Sequence, residues 1–117
     1  MKLLVCGTRG ARYDLIDFDK IMRECLIYVS SFNITEIIEG CCPNSADVLA
    51  EEWAKQNSVP IKHFPATSNN YLKRNIEMVE EADEVLAFFD GWSYGTAHTI
   101  ANAVMRHKPV RIVEVKK

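Results

Sequence analysis

The segment at residues 90–96, with the sequence DGWSYGT, carries residue types that can bind a phosphate group. It follows an almost wholly apolar run and precedes residues whose apolar spacing predicts a helix from Thr96 onward. Gly95 lets the backbone come near a phosphate, Thr96 offers a hydroxyl and an amide, and a helix N-terminus attracts negative charge. The tryptophan or the tyrosine can stack on a base. We therefore predict ligand contacts from Gly91, Tyr94, Gly95 and Thr96; the alternative is a tight turn whose aromatic side chains cover the core.

A second glycine loop, GTRG, occupies residues 7–10 directly after a strand-like apolar run. Gly7 and Thr8 are small enough for a ligand to approach the backbone, and Arg9 can fork onto phosphate or carboxylate oxygens. The alternative is a flexible turn with a solvent-facing arginine. No GxGxxG pattern follows, so the loop is not a dinucleotide-binding fingerprint.

The third loop is GCCPNSAD, residues 40–47. Gly40 permits an unusual backbone angle where a strand ends, and Asn44 and Ser45 stand where free amides open a helix. Asp47 can bind a ribose hydroxyl or orient the arginine of the GTRG loop. We predict that all four residues contact the ligand; alternatively, Asn44 and Asp47 only cap the helix.

The segment NNYLKRNIEM, residues 69–78, predicts a helix on which polar side chains stand beside an apolar stripe. Arg74 and Asn75 can reach a pocket at the start of this helix, and Arg74 is the candidate catalytic residue if the protein is an enzyme. The alternative is an exposed Lys73-Arg74 pair with Glu77 as its partner.

The cysteines and histidines form no motif for metal binding or covalent catalysis by their spacing. The adjacent Cys41 and Cys42 lack a second pair at the spacing of zinc ligands, and no base with a defined role stands near them in sequence. His63 and His107 fall in no constellation. Cys6 is predicted in a central strand, as core. We therefore predict no metal and no cofactor, and the cysteine usage favours a reducing, cytoplasmic setting.

Short apolar runs alternate with amphipathic helical patterns along the chain. Strands are predicted at residues 2–6, 36–39, 60–64, 85–89 and 110–115. Helices are predicted at residues 14–32, 45–57, 70–82 and from 96 onward. In the first helix Leu15 is expected on the buried face and Asn33 at the closing end, and Pro60 places the third strand at a sheet edge.

This alternation predicts the α/β class, as a single Rossmann-like three-layer domain over residues 1–117 with a mainly parallel five-stranded sheet. The glycine loops all follow strands. Because ligands of such sheets bind beyond the carboxyl ends of the strands, we expect these loops to converge on one crevice.

Composition excludes several partner classes. The 117 residues are 48% apolar and 26% charged, as in ordinary globular domains with one packed core. A formal net charge of −2 disfavours a general nucleic-acid-binding surface. No apolar run approaches the roughly 20 residues of a membrane span, and no signal-peptide pattern follows Met1. We expect a cytoplasmic protein without a membrane partner.

In combination, the four segments resemble the SLOG superfamily of Rossmann-like domains. The matching patterns are GTRG after the first strand, G-x(4)-SAD after the second, RN-x-x-M in the third helix and YGTA after the fourth strand. Within the superfamily the chain is most similar to the small YspA-type branch, whose relatives are DprA/Smf and the LOG phosphoribohydrolases. The resemblance spans nearly the whole chain.

The resemblance implies a domain that binds nucleotides or nucleotide-derived ligands, with the Gly40 loop and the YGT turn around the phosphate. Members of the family often form dimers through helices, and the apolar second and fourth helices of this chain would allow a homodimer. LOG enzymes cleave the N-glycosidic bond of a nucleoside monophosphate, using an arginine that matches Arg74 and a glutamate whose position falls on Thr99. Thr99 cannot supply a carboxylate to stabilise the positive charge that develops on the ribose.

We therefore expect a sensor or accessory module that binds a nucleotide-like small molecule. The alternative is a nucleotide-processing hydrolase of the phosphoribohydrolase (N-glycosidase) type, in which Arg74 is essential and Asp90 or Asp47 replaces the glutamate. A third hypothesis, single-stranded DNA binding as in DprA, is disfavoured by the negative net charge.

Overall fold

The computed structural model describes residues 1–28, 34–42, 44–66 and 70–116. Its five strands are β1 (Lys2–Gly7), β2 (Glu36–Glu39), β3 (Ile61–His63), β4 (Glu84–Phe89) and β5 (Val110–Glu114). Its four α-helices are α1 (Phe18–Tyr28), α2 (Ala46–Gln56), α3 (Tyr71–Glu81) and α4 (Tyr94–Met105). Strands and helices alternate from β2 onward, as the sequence pattern predicts.

The strands form one sheet in the order β3-β2-β1-β4-β5, and every neighbouring pair is parallel. The prediction of a three-layer α/β domain is confirmed, and so is the edge position of β3. The chain moves outward from β1 to β3 and then returns to place β4 on the other side of β1. The strand order therefore reverses between β1 and β4, where a crevice opens at the carboxyl ends of the strands.

Two apolar clusters cover the two faces of the sheet, because successive side chains of a strand point to opposite faces. On one face Leu3 packs in a cluster with Phe18 of α1 and Ala50 of α2. On the other face Leu4 packs in a cluster with Val79 of α3. The central strands are buried on both faces, which explains why β1 and β4 are nearly continuous apolar runs.

The first helix begins later than its apolar pattern indicates. Instead of a helix that begins at Asp14, a single 3-10 turn at Tyr13–Leu15 is followed by extended backbone at Ile16, and α1 begins at Phe18. The predicted end of this helix at residues 29–32 lies outside the described residues. Asp17 Oδ1 accepts the Lys20 N–H at 3.1 Å, so this carboxylate caps the new N-terminus. The prediction that Leu15 faces inward is wrong, since its side chain is 74% exposed. Asn33 lies outside the described residues.

Apolar side chains remain exposed on α2 and α4. Val48 of α2 is exposed, and so are Val104 and Met105 of α4. A homodimer formed through these helices stays a prediction. Among the residues that the structure describes, none of the helices combines the length and the apolar character that crossing a membrane requires.

Lys108 closes the C-terminal end of α3. Its Nζ donates to the carbonyl oxygens of Val79, Glu80 and Ala82 at 2.6, 2.8 and 2.5 Å. The last carbonyls of a helix have no partner within the helix and carry partial negative charge, so an ammonium group satisfies them well.

We expect Lys108→Met to lower the free energy of unfolding by about 2 kcal/mol, because it removes charged hydrogen bonds and leaves the carbonyls without this donor. Urea denaturation monitored by circular dichroism measures the effect. Lys55→Met is the control, since Lys55 forms only an exposed ion pair with Glu51 and should cost well under about 1 kcal/mol. Equal losses in the two variants would contradict the capping role of Lys108.

Candidate functional site

A cleft of about 700 Å³ opens at the carboxyl ends of the strands. This volume lies within the roughly 300–1,000 Å³ range of small-molecule sites. Eight of the residues predicted from sequence to contact a ligand line it: Gly7, Arg9, Gly40, Asp47, Arg74, Asn75, Gly95 and Thr96. The GTRG loop, the Gly40 loop, the third helix and the YGT turn therefore meet at one place, as the parallel topology requires.

Arg74 is held against the Gly40 loop. Its Nη1 donates to the carbonyl oxygens of Gly40 at 2.7 Å and Phe64 at 3.0 Å, and its Nε is buried without a partner among the described residues. The alternative of an exposed Lys73-Arg74 pair bonded to Glu77 is wrong for Arg74. Two backbone carbonyls fix the guanidinium at the wall of the cleft, and part of its donor capacity remains unused.

Gly40 is required by the position of Arg74. A Cβ atom added at Gly40 would lie 2.9 Å from Cζ of Arg74 and even closer to its Nη1. Any other residue at this position would displace the guanidinium. The close approach of the arginine, rather than an unusual backbone angle, therefore explains glycine here.

Asp47 organises the same loop from the opposite side. Its Oδ2 accepts the N–H groups of Gly40 at 3.2 Å and Cys42 at 3.0 Å. Burial raises the pKa of this carboxyl to about 6. The Cys42 and Gly40 N–H groups favour the ionised carboxylate and oppose this shift. A group that titrates near neutral pH inside a cleft is a candidate for acid–base chemistry.

The helix cap that the sequence suggested for Asn44 and Asp47 is made by Ser45 instead. Ser45 Oγ accepts the Asp47 N–H at 3.1 Å and donates to the Cys42 carbonyl at 2.8 Å. Asn44 has φ of 52°, and its carbonyl accepts the Gly10 N–H at 2.7 Å. Neither Asn44 nor Ser45 lines the cleft. Both act on the shape of the loop, and their predicted ligand contacts have no support in this geometry.

We expect Ser45→Ala to destabilise the protein by about 1 kcal/mol, because it removes the N-cap of α2. Thermal unfolding measures this loss. Ser45→Asn is the matched variant, since its side-chain oxygen can also cap, and it should recover most of the stability. If Ser45→Asn were as unstable as Ser45→Ala, the lost stability would come from packing and not from the cap.

Asp90 shapes the turn between β4 and α4. Its Oδ1 accepts the N–H groups of Trp92 and Ser93 and the Ser93 hydroxyl, each at 2.9 Å. The Trp92 N–H, followed by the Ser93 groups, lowers the pKa of the Asp90 carboxyl to about 2. Asp90 does not line the cleft, so it is not positioned to replace a catalytic glutamate.

Three more residues predicted as ligand contacts lie outside the cleft. Thr8 is buried, and its Oγ1 accepts the Asp90 N–H at 3.1 Å, which ties the end of β1 to the turn after β4. Gly91 has φ of 90°, so the backbone conformation of the turn requires glycine there. Tyr94 is 67% exposed beside His98. The structure therefore gives Thr8 and Gly91 structural roles and leaves Tyr94 on the surface.

Other residues line the cleft without having been predicted as ligand contacts: Cys6, Cys41, Cys42, Pro65, Ala66, Tyr71, Met78, Ser93 and Thr99. Tyr71 is 46% exposed and can serve as a stacking surface. The spacing of Tyr71, Arg74 and Met78 on one helix face was the signal that could have identified the tyrosine. Thr99 donates its hydroxyl to the Gly95 carbonyl at 3.1 Å, so a helix-internal bond uses that donor.

A second group of side chains lies at the ends of β2 and β3. Cys41 Sγ lies 3.3 Å from His63 Nδ1 and 3.4 Å from Glu39 Oε1, and His63 Nδ1 also contacts Glu39 Oε1. The prediction that His63 belongs to no constellation is wrong. A base does stand beside Cys41, although it is far away in sequence.

This arrangement does not activate Cys41 as a nucleophile. Burial, followed by the nearby Glu39 carboxylate, raises the pKa of the Cys41 thiol to about 11, whereas a nucleophilic cysteine needs a lowered pKa. In a Cys–His–acid relay the thiol and the carboxylate bind different ring nitrogens. Here both contact Nδ1 of His63.

Comparisons of the chain with protein-family models, with curated proteins and with solved structures find no match. The residues of the cleft are thus the basis for a functional hypothesis. They combine two arginines, a helix N-terminus and a carboxylate whose pKa is near neutral.

Proposed function

We propose that this chain is a SLOG-type domain that binds a nucleotide or a nucleotide-derived small molecule in the cleft, as a sensor or accessory module. The observation that carries the proposal is the convergence of Arg9, Arg74 and the N-terminus of α4 on one cavity. Cationic side chains and free helix amides are the groups that recognise phosphate in proteins.

The phosphate would lie between Arg74 and the start of α4. The first N–H groups of a helix have no partner within the helix, and Gly95 leaves their approach unobstructed because its Cβ position has no neighbour within 4 Å. Arg74 contributes the guanidinium N–H groups that do not donate to the Gly40 and Phe64 carbonyls. Arg9 adds a second positive charge from the GTRG loop.

The remainder of the cleft suits a nucleoside. Tyr71 offers an aromatic face for a base, Met78 adds an adaptable apolar contact, and Asp47 can accept a hydrogen bond from a ribose hydroxyl. Asn75 donates to the Gly95 carbonyl at 3.4 Å, which links α3 to the phosphate-binding turn. These contacts favour a nucleotide over an inorganic anion alone.

Isothermal titration calorimetry with nucleoside monophosphates, ADP-ribose, NAD and cyclic nucleotides tests the proposal. We expect saturable one-to-one binding of at least one of them, with inorganic phosphate competing weakly. The folded state of the sample is checked by circular dichroism. Absence of binding to every member of the panel by folded protein would count decisively against the proposal.

A second candidate function is N-glycosidic cleavage of a nucleoside monophosphate, and it is favoured by Asp47. This residue lines the cleft with Arg74, and its pKa of about 6 lies near the operating range of a general acid or base. Incubation with nucleoside monophosphates, followed by chromatography for free base, tests it. Release of base that persists in Asp47→Asn would exclude this residue as the catalytic carboxylate.

A further inference from the structure

Strand pairing places Glu39 and His63 side by side. Glu39 is the last residue of β2 and His63 is the last residue of β3, and the two are direct partners in the parallel ladder. Residues paired in this way point to the same face of the sheet. The side chains therefore meet although 24 positions separate them in sequence.

Backbone geometry brings Cys41 to the same point. Cys41 has φ of 60°, a left-handed conformation that is uncommon for a residue other than glycine, asparagine or aspartate. Its N–H donates to Glu39 Oε2 at 2.6 Å, and its Sγ lies next to the other carboxylate oxygen. This uncommon backbone conformation directs the Cys41 thiol towards the Glu39 carboxylate and the His63 imidazole.

The three potential ligand atoms surround a common point. Sγ of Cys41, Nδ1 of His63 and a carboxylate oxygen of Glu39 all lie within 4.8 Å of one another. The distances from Sγ to Oε1 and to Nδ1, 3.4 and 3.3 Å, are close to the roughly 3.5 Å that separates two ligands of a tetrahedral zinc ion. His63 Nδ1 and Glu39 Oε1 are in direct contact, so these two atoms must move apart for an ion to enter.

Burial of Glu39 is the second reason to expect a cation. The Glu39 side chain is wholly buried, and a buried carboxylate is costly unless a positive charge or several hydrogen bonds compensate it. In the described part of the chain its hydrogen-bond partners are the Cys41 N–H, the Cys41 thiol and His63. None of these is a permanent cation.

We propose that Glu39, Cys41 and His63 form a binding site for a divalent transition-metal ion, with Zn²⁺ as the expected occupant. Sulfur, imidazole nitrogen and carboxylate oxygen together suit Zn²⁺, whereas Mg²⁺ and Ca²⁺ prefer oxygen ligands alone. Binding replaces the hydrogen bond between His63 Nδ1 and Glu39, so that the neutral imidazole carries its proton on Nε2, and it releases the Cys41 thiol proton to solvent.

Three protein ligands leave one coordination position for water or a ligand, which is the arrangement of catalytic and not of structural zinc sites. Cys41 also lines the cleft, so the ion would lie at the cleft wall, and His63, whose side chain is 46% exposed, leaves a route from solvent. None of its three residues is among the groups assigned to phosphate, ribose or base, so metal binding can be tested without a nucleotide and can fail or succeed separately from the proposed function.

Titration of the metal-free full chain with Zn²⁺ and Co²⁺ tests the site. We expect one Zn²⁺ per chain by calorimetry in competition with a chelator. With Co²⁺ we expect a thiolate-to-metal charge-transfer band together with the visible bands of tetrahedral cobalt. Absence of stoichiometric Zn²⁺ binding, or a cobalt spectrum without the thiolate band, would overturn the proposal.

Matched variants assign the ligands. Cys41→Ser should abolish the thiolate band. His63→Ala should weaken Zn²⁺ binding at least about 100-fold, because loss of a residue that only hydrogen-bonds a metal ligand already costs up to about 100-fold, and loss of the ligand itself costs no less. Cys42→Ser and His107→Asn are the controls and should keep both signals. His63 is exposed on an edge strand, so we expect His63→Ala to fold. Loss of the band in Cys42→Ser, or unchanged affinity in His63→Ala, would refute the assignment.

Discussion

Arg74→Ala is expected to weaken binding of the nucleotide found by calorimetry about 100-fold. The loss corresponds to about 3 kcal/mol, which is the range of one or two charge-assisted hydrogen bonds to phosphate. Arg74 is the cleft residue whose guanidinium is already fixed by the carbonyls of Gly40 and Phe64, so little ordering is needed when a ligand binds. Calorimetric titration of the variant against wild-type protein measures the change.

Lys73→Ala is the matched control for this prediction. It removes the same unit of charge from the same helix, one residue away and exposed, and it does not line the cleft. We expect its affinity to stay within about threefold of wild type, because screened surface charges contribute little. If both variants lost affinity equally, the effect would come from the overall charge of α3 and not from a contact made by Arg74.

Two further variants separate position from charge. Arg74→Lys keeps the charge but lacks the fork that can bond a carbonyl and a phosphate together, so it should recover only a small part of the affinity. Gly40→Ala leaves the arginine in the sequence but places a methyl group against its guanidinium. Wild-type affinity in Gly40→Ala would show that the observed seat of Arg74 is not needed for binding.

Asp47→Asn is expected to remove a pH-dependent contribution of about 3 kcal/mol to the free energy of unfolding. Burial raises the Asp47 pKa from an ordinary value of 3.8 to about 6, and each pKa unit corresponds to about 1.4 kcal/mol. Because the folded state holds this proton more tightly than the unfolded state, the protonated carboxyl stabilises the fold fully below pH 3.8. The contribution declines as the pH rises and is lost above pH 6.

Urea denaturation at a series of pH values from 4 to 7 measures this effect. The free energy of unfolding of wild type, relative to that of Asp47→Asn, should fall by about 2.4 kcal/mol over the series, since part of the total change lies below pH 4. Asparagine keeps the size of the side chain and one acceptor for the Gly40 and Cys42 N–H groups. Glu52→Gln, at an exposed position of α2, controls for the removal of one carboxyl group. A constant difference between wild type and Asp47→Asn would contradict the raised pKa.

The fold could be predicted because its signals are local. Apolar runs such as the one in β4 and the helical spacing of α3 depend only on near neighbours, and the rule that parallel strands gather their loops at one edge supplies the rest. This is why Gly7, Gly40, Arg74 and Gly95 lie together. The predicted start of α1 is wrong because the helical apolar pattern continues across Asp17, whereas the side chain of Asp17 caps a helix that begins at the next residue.

The group at Glu39, Cys41 and His63 could not be predicted, because it depends on strand register. A shift of β3 by one residue would turn His63 to the opposite face of the sheet, and no local pattern in either strand fixes that register. The capping role of Ser45 could not be predicted for a related reason. Several residues in NSAD can cap a helix, and the choice depends on Asp47 being drawn back to the Gly40 and Cys42 N–H groups.

The backbone amide of Gly40 can report on the cleft by NMR spectroscopy without an added probe. Its N–H points to the Asp47 carboxylate and its carbonyl accepts from Arg74, so its two flanking peptide groups sense both charged side chains. The chain has 5 glycines, and a sample labelled with ¹⁵N only at glycine would give a correspondingly sparse spectrum. In that spectrum the Gly40 resonance should shift when Asp47 ionises and again when a ligand engages Arg74. One backbone amide would then distinguish protonation from occupancy.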